Sequence, residues 1–169
     1  KKTSVFIVVS QTTQDRLTQW VGSHGKTFYQ LPNSIDLQKF TIGKKNQSLV
    51  DRYELKDRKV VMTVGRLDCF ERYKGFDEVL DVLPSLKKTI PNILYMIVGD
   101  GEGRARLEKK VQELGLAENV IFSGYIPEDQ KVDHYMLADA FLMPSRGEGF
   151  GIVLLEAMAC GIPVMGSKL

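Results

Sequence analysis

Six consecutive apolar residues, Ile93-Leu-Tyr-Met-Ile-Val98, run straight into the turn Gly99-Asp-Gly-Glu-Gly103. A strand with one wet face alternates apolar and polar residues, so an all-apolar strand must be covered on both faces. Similar short runs recur through the chain and predict strands over residues 5–9, 27–31, 59–64, 93–98, 120–122, 140–143 and 163–165. Between them, apolar residues at helical spacing predict helices over 13–21, 76–88, 104–114, 128–138 and 152–159. Strands alternating with helices specify an α/β fold: a three-layer, doubly wound parallel sheet of the Rossmann-like kind.

The 169 residues suffice for one such core and are too few for two complete ones. A net charge of +2 is too small to argue for nucleic acid, and no apolar run approaches the length of a membrane span. Cys69 and Cys160 do not make a disulfide framework, and Cys160 reads as a small buried residue of a core helix, which suits a reducing, cytoplasmic setting. His24 and His134 stand alone, without metal-ligand spacing, and are expected in surface or capping roles. No metal site and no cofactor is expected.

Open α/β sheets bind ligands at the carboxyl ends of their strands. Here those ends read Gly65-Arg66, Gly99-Asp100, Gly124-Tyr125-Ile126 and Pro144-Ser145, with small residues that leave room along the rim. Lys74 follows Arg66 after a loop, and two cations on one rim could neutralise a diphosphate. The run Gly99-Asp-Gly-Glu-Gly103 is not a dinucleotide fingerprint: its spacing is G-x-G-x-G, and its two acids would repel a pyrophosphate.

The densest segment is Glu148-Gly-Phe-Gly-Ile-Val-Leu-Leu-Glu156-Ala-Met-Ala-Cys-Gly-Ile-Pro-Val164. Gly149 and Gly151 let backbone approach a ligand closely, and the following helix presents free N–H groups to an anion. Gly161 stops that helix and Pro163 follows. Taken alone, the two acids also fit a buried helix with a favourable N-terminal charge and a structural ion pair. A carboxylate about 4 Å from a diphosphate would be repelled by about 4 kcal/mol at an effective dielectric of about 20. Glu148 is therefore expected to face sugar hydroxyls, leaving phosphate to Arg66, Lys74 and the backbone of Gly149, Phe150 and Gly151.

The segment resembles the signature of the retaining glycosyltransferases of family 4, whose GT-B architecture pairs two Rossmann-like domains. Pro32-Asn-Ser-Ile-Asp36 with Phe40 is similar to the start of that family's second domain, with Ser34 in place of the usual glycine. The resemblance implies that residues 1–23 are a remnant of the N-terminal acceptor domain. Residues 24–58 would be the start of the C-terminal domain and its connection, and 59–169 a nucleotide-sugar-binding domain truncated at its C-terminal end. It implies that Gly65, Arg66 and Lys74 hold the donor phosphates, that Glu148 meets the transferred sugar and that Glu156 meets the ribose diol. Gly99 would line the donor cleft, and the loop with Tyr125 and Ile126 would cradle the base. The implied partner is a UDP- or GDP-linked sugar, with the acceptor bound by the missing domain and the metal-independent transfer requiring both. The full protein would be cytoplasmic, with peripheral association at the inner membrane face. The alternative from another class is a non-catalytic, regulatory nucleotide-binding domain on a similar fold.

Overall fold

The protein is described by a computed structural model over residues 3–70, 72–147 and 150–167. It divides into two compact units, Lys1–Ile35 and Asp36–Leu169.

The first unit is a β-α-β element: β1 (Val5–Val8), α1 (Gln11–Val21) and β2 (Thr27–Gln30). The two strands are parallel, with Val5 opposite Thr27 and Val8 opposite Gln30, and Phe6 stacks on Phe28. Helix α1 starts two residues before the apolar periodicity does, because the Ser10 hydroxyl caps it by accepting from the Thr13 N–H. Strand β2 pairs with β1, and the first compact unit runs on to Ile35.

The second unit contains α2 (Gln47–Arg52), β3 (Lys59–Val64), α3 (Phe76–Thr89), β4 (Ile93–Val98), α4 (Arg104–Glu113), β5 (Val120–Gly124), α5 (Lys131–Tyr135), β6 (Ala140–Met143), α6 (Ile152–Ala159) and β7 (Val164–Gly166). Its five strands lie in the order β5-β4-β3-β6-β7 and every pair is parallel. Strand order therefore runs outward in both directions from β3, making the β3–β6 boundary the topological switch point, where such sheets open a crevice. Both faces are covered, as the apolar strands require. Leu94, Met96 and Val98 of β4 pack with Phe141, Ala157 and Cys160 on one side. Ile93, Tyr95 and Ile97 pack with Leu80, Leu83, Leu107 and Val111 on the other.

Two local expectations change. Residues 32–58, which carry no clear periodicity, include α2, capped by Asn46 accepting from the Ser48 N–H. The helix expected over 128–138 is a 3-10 turn, Glu128–Gln130, followed by the five-residue α5. Leu137 and Ala138 then close i→i+3 bonds to His134 and Tyr135, which tightens the chain on its way into β6.

Candidate functional site

The switch point is built by hydrogen bonds. The β3–β6 ladder is short, pairing Val61 with Ala140 and Met62 with Phe141. Where it ends, the buried Thr63 hydroxyl donates to the Leu142 carbonyl at 2.5 Å and accepts from the Tyr95 hydroxyl at 2.8 Å. On the other side, β3, β4 and β5 end flush. The Gly65 N–H reaches the Val98 carbonyl and the Gly99 N–H reaches the Gly124 carbonyl, both at 2.9 Å. Gly99 has φ 132°, and a Cβ there would overlap the Gly65 carbonyl oxygen, so only glycine lets the two turns interlock.

A cleft of about 350 Å³ opens over these strand ends. It brings together Gly65, Arg66, Gly99, Tyr125 and Ile126, five residues singled out from sequence, and adds Asp100 and Lys131. The Arg66 side chain is 74% exposed and meets Asp68 only loosely, at 3.6 Å. Its guanidinium is therefore available to a ligand. Lys74 ends a 3-10 turn (Arg72–Lys74) and its side chain lies over Gly65; a Cβ at Gly65 would stand 3.2 Å from Lys74 Cδ and 3.7 Å from its Nζ. The absent side chain at position 65 is what makes room for that ammonium beside the cleft.

The loop after β6 is tied to the Lys74 turn. Gly75, at φ 87°, opens α3 against Pro144, whose Cγ would lie 2.7 Å from a Cβ at position 75. The Arg146 N–H donates to the Tyr73 carbonyl at 2.7 Å, and its guanidinium pairs with Glu78. Glu148, expected to face the sugar, and Gly149, expected to offer backbone to phosphate, lie outside the described residues. Gly151 precedes α6 at φ 73° with no side-chain cap on the helix, and Phe150 beside it is 36% exposed.

Glu156 is nearly enclosed: its side chain is only 6% exposed, and both oxygens already have donors. Oε2 accepts from the Tyr135 hydroxyl at 2.6 Å and Oε1 from Lys131 Nζ at 3.3 Å. Lys131, which lines the cleft, also pairs with Glu128 at 2.9 Å, and Glu128 with Lys39 at 2.9 Å. Burial works to lower the Lys131 pKa, but the hydrogen bond to Glu128 and the charge of Glu156 outweigh it, and the pKa is raised. Burial, reinforced by the hydrogen bond to Glu156, pushes the Tyr135 phenol far up, so it stays a donor. Neither Lys131 nor Tyr135 was singled out from sequence, and no local signal in the sequence links them to Glu156, 25 and 21 positions away.

His134, expected in a surface or capping role, is buried. It reaches the Gln130 carbonyl through Nδ1 at 2.8 Å and the Tyr53 hydroxyl through Nε2 at 3.2 Å. Among the described residues no cluster of three His, Cys, Asp or Glu could hold a metal ion, and no helix is long and apolar enough to cross a membrane.

Known proteins resemble this chain in sequence and in fold. The chain is 34% identical over 172 residues to the GDP-mannose-dependent alpha-(1-6)-phosphatidylinositol monomannoside mannosyltransferase of Mycolicibacterium smegmatis, a match covering 97% of the chain and 44% of that protein. Among solved structures it resembles sucrose-phosphate synthase from Thermosynechococcus elongatus, with a TM-score of 0.77 and 30% identity over 98% of this chain and 41% of that one. It also resembles Anabaena HepE in complex with UDP and glucose, with a TM-score of 0.77 and 25% identity over 98% of this chain and 44% of that one. The chain thus spans less than half the length of these relatives. The family model for glycosyl transferases group 1 matches residues 46–168, which include the whole cleft, and the chain belongs to that family.

Proposed function

We propose that this chain is the donor-binding part of a retaining glycosyltransferase of GT-B architecture and family 4, using a UDP- or GDP-linked sugar. The single observation that carries the reading is the cleft at the strand ends, where Arg66 and the neighbouring Lys74 stand beside glycine backbone. Relatives named for GDP-mannose and a solved relative holding UDP and glucose support the donor class. Arg66 and Lys74 hold the diphosphate and stabilise the charge that grows on it as the glycosidic bond breaks. Glu148 holds the transferred sugar, and Gly149, Phe150 and Gly151 offer backbone to the phosphates. Glu156 reads the ribose, and the Tyr125–Ile126 loop flanks the base. The acceptor attacks from the face the nucleotide leaves, in the complete cytoplasmic protein seated peripherally at the inner membrane face. The phosphatidylinositol substrates named for relatives support a glycolipid acceptor. Calorimetric titration with UDP, GDP, ADP and their sugars tests this reading. One nucleoside diphosphate and its sugar should bind, and Lys74→Ala should weaken both. Full affinity in Lys74→Ala, or no binding by any of them, overturns it.

A further inference from the structure

Glu156 has two oxygens, about four acceptor sites, and two donors. Two sites remain, the number that the two hydroxyls of a cis-diol require. The donors differ in kind. Lys131 contacts Glu156 at 3.3 Å and has a closer partner in Glu128 at 2.9 Å, so it can turn away as a ligand arrives. Tyr135 has no such freedom. It is 1% exposed, its ring is wedged between Phe40 and Phe141, and its hydroxyl meets Oε2 at 2.6 Å.

We infer that Tyr135 is a positioning residue: its buried hydroxyl fixes the Glu156 carboxylate so that the remaining acceptor sites fit a ribose diol, while Lys131 is the exchangeable partner. The inference rests on the reading of Glu156 as the ribose acceptor. It adds a residue on α5 that touches no substrate and acts through the carboxylate it orients. The side chain stays protonated because burial and the adjacent carboxylate both oppose its ionisation.

The test measures affinities of the preferred nucleoside diphosphate and its 2′,3′-dideoxy analogue for the wild-type chain and for Tyr135→Phe, which keeps the ring. Wild type should prefer the ribose form. Tyr135→Phe should lose about tenfold for the ribose form, the worth of one hydrogen bond to a charged group, and stay within about twofold for the dideoxy form. A merely structural tyrosine would weaken both ligands alike, and that result overturns the inference. Equal binding of both ligands by wild type overturns the ribose role of Glu156 itself, which separates the two failures. Should Tyr135→Phe not fold, the Tyr135 hydroxyl proton is followed by NMR in the wild type. It should shift with the ribose form and stay in place with the dideoxy form; no difference between the two overturns the inference.

Discussion

Two acids of this domain hold lysines and look alike in sequence, yet their settings are opposite. Asp77, in the first turn of α3, receives three cationic donors. Arg106 grips it with two nitrogens at 2.6 and 2.8 Å, and Lys110 adds a third contact at 3.2 Å. Arg106 first, with help from Lys110, holds the Asp77 carboxyl below its ordinary range. A bidentate fork plus an ammonium leaves little for a ligand to take, and the group joins α3 to α4. Glu156 is more deeply buried but has only two donors, one of them neutral and the other shared with Glu128. Asp77 is nearly saturated, whereas Glu156 keeps the spare acceptor capacity that its proposed ribose role requires.

The largest expected effect removes the poised acid. Glu156→Ala leaves the Tyr135 hydroxyl buried without an acceptor and opens a small void, at a cost of about 3 kcal/mol in urea unfolding. Nucleoside diphosphate affinity should fall with it. Unchanged affinity in a folded Glu156→Ala protein would erase the contrast with Asp77.

Asp77→Asn comes next, with a loss of about 2 kcal/mol at neutral pH and no change in nucleotide affinity. The pH dependence follows from the sign of the shift. The folded pKa lies below the ordinary 3.8, so the carboxylate's contribution is complete above that value and is lost as pH falls through the folded pKa. The stability gap between wild type and Asp77→Asn should therefore be widest at neutral pH and close in acid. A gap that persists at about pH 2 would mean that packing, not charge, holds the α3–α4 contact.

This contrast also marks how far sequence reached. The parallel sheet and the glycine rim were legible because each rests on local spacing. Apolar runs fix the strands, and the residue after each strand sits at the rim by geometry alone. Gly65, Arg66, Gly99, Tyr125 and Ile126 were found that way and meet in one cleft. The partners of Glu156 were not legible. They come from α5, 21 and 25 positions away, and nothing in the local pattern separates Lys131 from an ordinary surface lysine. The burial of His134 was hidden for the same reason, since its hydroxyl partner Tyr53 lies 81 positions away at the end of α2. The pairing of β2 with β1 was hidden too, because strand pairing is a long-range fact.

The smallest expected effect probes the outer end of the Glu156 chain. Lys39 pairs with Glu128 at 2.9 Å, and Glu128 is 62% exposed. Pairs this exposed are screened by water and contribute at most about 0.5–1 kcal/mol, so Lys39→Ala should barely move the urea midpoint. Its effect on the cleft is more telling. Without Lys39, Glu128 keeps its pair with Lys131 and holds it more firmly, drawing it from Glu156. If Lys131 is the exchangeable donor, nucleoside diphosphate affinity in Lys39→Ala should hold or rise slightly. A fall of several-fold by calorimetry would show that Lys131 must stay on Glu156 for the ligand to bind. The acid at the cleft would then be as saturated in its working state as Asp77.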